Sequence, residues 1–171
     1  MKLNKFSIAA VVILGLGVSG WLWADTSPKA ESQPTAAQPA HVMVTPSDVT
    51  WGPGPDALPI GAMAAVIEGD PKAAGLFCMR LKVPAGYKVP AHWHPADEHV
   101  TVISGTLNMG MGDKLDQNKG KELPTGSFVV MPAKSTHFAW TTGETIIQIH
   151  ALGPWAINYV NPKDDPRLAK K

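Results

Sequence analysis

Two segments of the chain concentrate residue types that bind metal ions. The first contains His92, His94 and Glu98, and the second contains His137. His92 and His94 are two residues apart, so on a β-strand both side chains point to the same face. Imidazole nitrogens together with a carboxylate are suitable ligands for a divalent transition metal. The residue types and spacing therefore predict a metal site formed by these four side chains.

Turns must bring the four side chains together. A turn at 95–97 follows His94, and Glu98 begins the next predicted strand, so a hairpin is expected to return Glu98 beside the two histidines. A second turn at 133–135 precedes His137, which is expected to close the site from the opposite hairpin. Three nitrogens and one oxygen leave positions open on a five- or six-coordinate metal. Open positions are typical of catalytic sites, whereas structural zinc sites fill them.

The rest of the pattern predicts an all-β domain. Gly and Pro occur 16 times each, and no segment keeps a helical period. Short runs rich in Val, Ile, Thr, Phe or Trp predict strands at 41–45, 64–68, 76–83, 87–93, 99–104, 106–112, 127–131, 136–142, 145–151 and 155–160. Many short strands indicate a sandwich or barrel. The polar segment 112–122 is expected to be the longest loop inside it.

Composition excludes some classes of function. The chain has 171 residues, 44% of them hydrophobic, and a formal net charge of only +1. Without a basic stripe or an RNA-binding motif, we expect no binding to nucleic acid. The one cysteine, Cys78, cannot form an internal disulfide and is expected to be a small buried apolar residue.

The ends of the chain differ from its middle. Residues 1–24 begin with Lys2 and Lys5 and continue with an apolar run, which predicts a signal peptide or an N-terminal membrane anchor formed by residues 6–24. The protein is therefore expected to be periplasmic or secreted. Residues 25–40 are expected to be a flexible linker rich in Pro and Ala, 41–160 the barrel, and 161–171 a loosely ordered tail.

The two metal-binding segments resemble the two motifs of the cupin family. The first motif, G-x5-H-x-H-x3-E-x6-G, is matched from Gly86 to Gly105 at every fixed position, and the second is matched at Gly126, Pro132 and His137. The stretches GPGPDALP and GPWAINYVNP also resemble small secreted bacterial cupins of a single domain. The resemblance implies a cupin jelly-roll β-barrel, also called a double-stranded β-helix.

The second motif departs from the family at two positions. Lys134 stands where the family usually has Gly, whose role there is a backbone need, and Thr141 stands where it usually has Asn. Neither is a ligand position. The substitution at Thr141 is expected to remove a side chain that often braces the barrel.

The resemblance also implies a function. It indicates an exported metalloenzyme that acts on a small organic molecule by dioxygenation, decarboxylation, isomerisation or hydrolysis, with Glu98 as a ligand or as a base. The alternative is a non-catalytic periplasmic protein that binds or senses a metal or a small ligand. The cofactor is one divalent ion of zinc, iron, manganese, copper or nickel. We expect a small-molecule ligand or substrate, and a homodimer.

Two further histidines need separate treatment. His99 follows Glu98 directly, so strand alternation sends it to the opposite face. His150 shares one strand face with Ile146 and Gln148, where it is either a catalytic donor or general base near the metal or a structural histidine. Residues that either wall a substrate pocket or belong to the core are Met109, Met111, Phe128, Met131, Trp140 and Trp155.

Overall fold

The computed structural model describes residues 41–169, which form two antiparallel β-sheets. Its strands are β1 (Gly52–Pro53), β2 (Met63–Glu68), β3 (Gly75–Val83), β4 (Lys88–Trp93), β5 (Glu98–Ser104), β6 (Thr106–Met111), β7 (Gly120–Pro124), β8 (Phe128–Met131), β9 (His137–Thr141), β10 (Thr145–Gly153) and β11 (Asn158–Tyr159). The order is β1-β2-β3-β10-β5-β8 in the six-stranded sheet and β11-β4-β9-β6-β7 in the five-stranded sheet. This arrangement confirms the all-β jelly-roll fold.

Strand alternation directs one side of each sheet toward the other. In β5, Val100 and Val102 are buried, whereas Thr101 between them and Ile103 after them are more exposed. The inward side chains of both sheets pack into one hydrophobic core that also contains Phe77. The core therefore lies between the two sheets, which is where side chains at the strand ends can converge.

Two hairpins expected around the metal-binding residues are absent, because the chain crosses between the sheets instead. After β4 in the five-stranded sheet the chain enters β5 in the six-stranded sheet, and after β8 it returns to the five-stranded sheet as β9. Neither β4 with β5 nor β8 with β9 forms a ladder. Glu98 thus faces the histidines across the core rather than lying beside them in one sheet.

Glycine is required at a further crossing between the sheets, from β5 to β6. Gly105, the last fixed residue of the first motif, separates β5 from β6 and has a φ of +77°. A Cβ atom there would overlap the backbone oxygen of Glu144. Both the left-handed backbone and the lack of space exclude a larger residue.

Most other predicted strands agree closely with the structure, but the strand expected at 155–160 is reduced to β11, and β1 was not predicted. Three further differences lie elsewhere. The expected strand at 41–45 is not formed, and a 3-10 helix at Pro46–Asp48 follows it. Part of the expected loop at 112–122 forms β7. The tail contains a 3-10 helix at Pro162–Asp164 and an α-helix, α1 (Pro166–Ala169), where the sequence predicts loose chain.

Contacts of Arg167 explain the ordered tail. Its guanidinium donates to a carboxylate oxygen of Asp165 at 2.7 Å and to the backbone oxygen of Ile157 at 3.0 Å. These contacts depend on the folded position of Ile157, so local composition does not reveal them.

The predicted signal or anchor at 1–24 and the predicted linker at 25–40 lie outside the described residues. Among the residues that the structure describes, no helix has the length and hydropathy needed to cross a membrane.

Candidate metal centre

Two neighbouring strands bring three histidines together. His92 near the end of β4 lies directly opposite His137 at the start of β9, and His94 follows β4. The ring centroids are 4.3 Å apart for His92 and His137, and 5.2 Å apart for His94 and His137. One ring nitrogen from each histidine lies within 4.8 Å of the others. The structure therefore brings together the three histidines that the sequence predicts as ligands.

Backbone carbonyls orient each of the three rings. The Nδ1 atoms lie 2.7 Å from the oxygen of Pro90 for His92, 2.8 Å from that of Ala156 for His94, and 3.1 Å from that of Ser135 for His137. A carbonyl oxygen only accepts, so each contact requires a proton on Nδ1. This tautomer leaves Nε2 with a free lone pair, as a metal ligand needs.

Burial keeps these histidines in the neutral form that binds metals. Desolvation lowers the pKa of His92 well below its ordinary value of 6.5, and it lowers the pKa of His94 to about 4. The pKa of His137 is also lowered, mainly by desolvation. Because neutral imidazoles do not repel a cation, the three rings can accept one with little proton release near neutral pH.

One buried atom of the site has no hydrogen-bond partner in the protein. His94 Nε2 is 3.3 Å from Glu98 Oε2, yet the two are not hydrogen-bonded. With the proton on Nδ1, neither atom of this contact carries a hydrogen when Glu98 is ionised. A divalent cation between them would satisfy both lone pairs, so the donor set fits a metal ion of the kind bound by nitrogen and oxygen.

Glu98 enters the site from the facing sheet. Burial raises the pKa of its carboxyl group, while a hydrogen bond from Trp155 opposes the shift. Trp155 Nε1 donates to Oε1 at 2.7 Å, which leaves Oε2 turned toward His94. Glu98 is outside the group of three mutually close histidine nitrogens. The position suits either a fourth ligand after a small movement or a proton-accepting group beside the metal.

Trp155 contacts both halves of the site. Besides its hydrogen bond to Glu98, its indole stacks on His94 with ring centroids 5.4 Å apart and an interplanar angle of 20°. The sequence marks Trp155 only as a pocket or core residue. Its link to Glu98 spans 57 positions of the chain, so no local pattern could have revealed it.

An apolar cavity adjoins the histidines. Hydrophobic side chains from both sheets form most of its wall, among them Leu81, Val100, Leu107, Met109 and Ile149. Trp155 and Trp140 also border it. Other residues expected to wall a pocket lie elsewhere, because Met111 and Phe128 are exposed and Met131 belongs to the buried core.

His150 does not lie at this site. The neighbours Ile149 and Ala151 on β10 face the core, so strand alternation sends His150 outward. There it lies opposite His99 of β5, and the two border a groove on the outer face of the six-stranded sheet. The predicted catalytic role of His150 is therefore inconsistent with its position, whereas the outward direction predicted for His99 agrees with the structure.

The two departures from the second cupin motif have different outcomes. Lys134 has a φ of +64°, the left-handed backbone that glycine adopts easily, so this turn keeps the conformation for which the family usually has Gly. The Thr141 hydroxyl donates to the backbone oxygen of Pro84 at 2.7 Å. The usual Asn side chain is absent, but Thr141 makes a hydrogen bond of its own to a neighbouring segment.

Solved structures of other proteins share this fold. The polyketide cyclase RemF from Streptomyces resistomycificus is 16% identical, with a TM-score of 0.63 over 77% of this chain and 93% of RemF. The DMSP lyase DddQ from Ruegeria pomeroyi is 19% identical, with a TM-score of 0.54 over 68% of this chain and 64% of DddQ. At these identities the likeness establishes the fold alone.

Sequence comparison is more specific than the structural likeness. No curated protein sequence matches this chain. The family described as the ChrR cupin-like domain matches residues 39–156, which include both motifs and all four predicted ligands. The chain therefore belongs to the ChrR cupin-like domain family of the cupin superfamily.

Proposed function

We propose that this protein is an exported, metal-dependent enzyme that converts a small organic molecule. The observation that carries the proposal is the convergence of three histidine nitrogens within 4.8 Å beside an apolar cavity. Glu98 is the one carboxylate in the cavity wall as the structure describes it, so it supplies a proton-transfer group or a fourth ligand. A buried acid–base group beside a metal is what a reaction needs and simple metal storage does not.

Each site residue then has a distinct role. His92, His94 and His137 would hold the ion through Nε2. A bound divalent metal would polarise an oxygen atom of the substrate or activate water or dioxygen. Glu98 would accept or return a proton through Oε2, and the Trp155 N–H would hold the carboxylate in place through Oε1. The hydrophobic wall would exclude bulk water from the reacting groups.

The fold is compatible with this activity without selecting a reaction. Proteins of similar structure include a polyketide cyclase and a DMSP lyase. A fold hosts many functions, so the proposal rests on the site itself. Oxygenation, decarboxylation, isomerisation and hydrolysis all begin with a substrate atom bound beside an acid–base group.

A non-catalytic ligand-binding protein is the second candidate. It is favoured by one observation: with His150 on the outer face, Glu98 is the acid–base side chain left for catalysis in the described cavity wall. Binding alone would require the histidines and the apolar wall and would not need the charge of Glu98.

The predicted export bears on which metal ion the site would take up. If the chain passes the membrane unfolded, it takes up its ion outside the cytoplasm, where affinity order and availability favour zinc or copper over iron(II). Elemental analysis of protein purified from the periplasm would test this preference, and a stoichiometric iron content would contradict it. The expected homodimer stays a prediction of the sequence, which sedimentation analysis would check.

Glu98→Gln separates the two candidate functions. The amide keeps the shape of the side chain and can still accept from Trp155, but it has no basic oxygen. We expect the metal-loaded variant to keep its ion and to lose about 100-fold or more in turnover. Activity is measured by dioxygen uptake and product analysis over small phenols, diketones and thiols. Metal-dependent turnover that is unchanged in Glu98→Gln would remove the acid–base role, and His99→Gln is the matched control.

A further inference from the structure

The cavity beside the histidines is polar at one end only. The histidines and Glu98 form that end, and hydrophobic side chains form most of the remaining wall. Tyr87 and Thr141 are the other residues with hydroxyl groups in the wall. Their hydroxyls donate to the backbone oxygens of Pro59 at 2.6 Å and Pro84 at 2.7 Å. A ligand therefore meets polar atoms that are ready to bind it mainly at the metal-binding end.

The cavity wall also offers no cation for a second anionic group. Neither lysine nor arginine borders it within the described residues. Arg80 lies on β3, close in sequence to residues of the cavity wall, and donates through Nε to Gln148 at 2.9 Å. The neighbours Met79 and Leu81 belong to the core, so Arg80 points to the outer face. A second carboxylate on the ligand would be buried against hydrocarbon.

The cavity volume limits the size of the ligand. It is about 60 Å³. An apolar cavity of about 150 Å³ takes benzene, which has six carbons, so this cavity has room for an apolar body of about two or three carbons.

From these three observations we propose that the site takes a small molecule with one metal-binding head and an uncharged, apolar body of about two or three carbons. The inference rests on the proposed function, because it describes the ligand of the same site. It favours short-chain compounds with a single oxygen or sulfur head. It excludes sugars, dicarboxylates and nucleotides, whose additional polar groups would lose water without gaining partners.

Alkyl hydroxamates of two to eight carbons test the proposal with a constant metal-binding head. The zinc-loaded protein is titrated by calorimetry, and its zinc content is measured before and after. We expect affinity to rise roughly fourfold per added carbon until about three or four carbons, counting the carbon of the head, and then to stop rising. Succinic acid monohydroxamate has a carboxylate in place of the terminal methyl of the four-carbon probe and should bind roughly 100-fold more weakly than that probe.

A variant of the wall checks that the length limit comes from this cavity. Ala139 shares the inward face of β9 with His137 and borders the cavity. Ala139→Leu adds about three carbons to the wall, so it should remove the gain in affinity with chain length without reducing zinc binding. Ala139→Val adds about two carbons and should reduce that gain, and it serves as the test if the larger residue prevents folding. Thr101→Leu, on the outer face of β5, is the control and should leave the length dependence unchanged.

The outcomes separate this inference from the proposed function. Affinity that does not depend on chain length, or equal binding of the carboxylate-bearing probe, would overturn the inference while leaving the metal site intact. A length limit that Ala139→Leu does not shift would overturn it as well. A protein that binds no zinc, copper or iron would overturn the proposed function and this inference together.

Discussion

The protein has two sets of neighbouring histidines, and they differ in almost every respect that matters for metal binding. The inner set, His92, His94 and His137, is buried, and a backbone carbonyl orients each ring. The outer pair, His99 and His150, is only partly buried and lies across two strands of the six-stranded sheet. The inner nitrogens converge, whereas the outer pair is not part of any cluster of three metal-binding groups within the described residues.

The contrast shows that proximity of histidines does not by itself make a metal centre. Glu98 and His99 are adjacent in the sequence, yet one faces the core and the other faces outward. Burial keeps the inner rings neutral, and the carbonyls set their tautomer before any ion arrives. This preorganisation lowers the cost of ordering the ligands when the metal binds.

The largest expected difference between the two sets is in metal affinity. Replacing His94 or His137 by Ala removes one of the three converging nitrogens and leaves fewer ligands for the same ion. Structural zinc sites bind with about 10–16 kcal/mol in total, so each such loss should cost roughly 1000-fold in affinity. Chelator competition followed by elemental analysis measures it.

The double variant His99→Ala/His150→Ala is the matched control for this comparison. It should keep full metal content and an affinity within about twofold of the unmodified protein. Full occupancy in both His94→Ala and His137→Ala would refute the inner site as described.

The inner set should also make the metal-free protein sensitive to acid. The pKa of His94 is about 4 in the fold against an ordinary 6.5, so the unfolded chain binds more protons as the pH falls below 6.5. The free energy of unfolding of the metal-free protein is therefore highest above pH 6.5. It falls as the pH falls toward 4, and His94 accounts for about 3 kcal/mol of that decrease. His92 and His137 act in the same direction, and the raised pKa of Glu98 opposes them.

Urea denaturation of metal-free protein at pH 7 and pH 4.5 checks this sign. His94→Ala should show a smaller loss of unfolding free energy on acidification than the unmodified protein. His99→Ala should lose as much unfolding free energy on acidification as the unmodified protein. A smaller loss in His99→Ala would show that the outer histidines contribute to the acid sensitivity and would contradict this prediction.

Trp155→Phe tests whether the hydrogen bond that fixes Glu98 contributes to metal affinity. Phenylalanine can still stack on His94, but it cannot donate to Glu98, so the carboxylate loses its fixed position. We expect metal affinity to fall about 10-fold, as is typical when a group that orients a metal-site residue is removed. The rate of metal transfer to a chelator measures the change.

Trp93→Phe is the control for that experiment. Trp93 lies between His92 and His94, and strand alternation sends it to the opposite face. Its replacement should leave the transfer rate within about twofold. Equal effects of the two substitutions would mean that loss of any nearby indole, rather than loss of the hydrogen bond, explains the result.

The smallest expected effect concerns the turn before His137. Lys134 adopts a φ of +64°, which costs a residue with a side chain about 1 kcal/mol relative to glycine, and its backbone N–H donates to the oxygen of His94 at 2.8 Å. Lys134→Gly should therefore stabilise the protein by about 1 kcal/mol. Lys121→Gly, in the regular strand β7, should destabilise it instead. Thermal denaturation of both variants compares the signs.

Local pattern was sufficient to predict much of the fold. Strand alternation predicted the shared face of His92 and His94 and the outward direction of His99, because the side-chain period of a strand is always two residues. The family motif marked position 134 as one where the backbone usually needs Gly, and the structure shows the left-handed conformation there. Most of the strand positions followed from β-branched and aromatic residues between turns.

Local pattern failed where distant segments decide the outcome. The Pro-Ala-Asp turn after His94 is compatible with a hairpin and equally with a crossing between the two sheets. The crossing is the one that forms, because it lets β4 and β5 bury opposite sides of one core. His150 looked like a site residue because its strand face could not be assigned inward or outward from Ile146 and Gln148 alone. The contact of Arg167 with the backbone oxygen of Ile157 likewise depends on how the chain folds back after β11.

The sequence by itself determined the ligand types, their spacing and the family, since these depend on residue identity and on the fixed geometry of a strand. Only the tertiary structure decided that Glu98 approaches from the facing sheet, that Trp155 donates a hydrogen bond to it, and that the space beside the three histidines is apolar. These features arise where two sheets pack together, and the free energy of that packing depends on residues far apart in the chain.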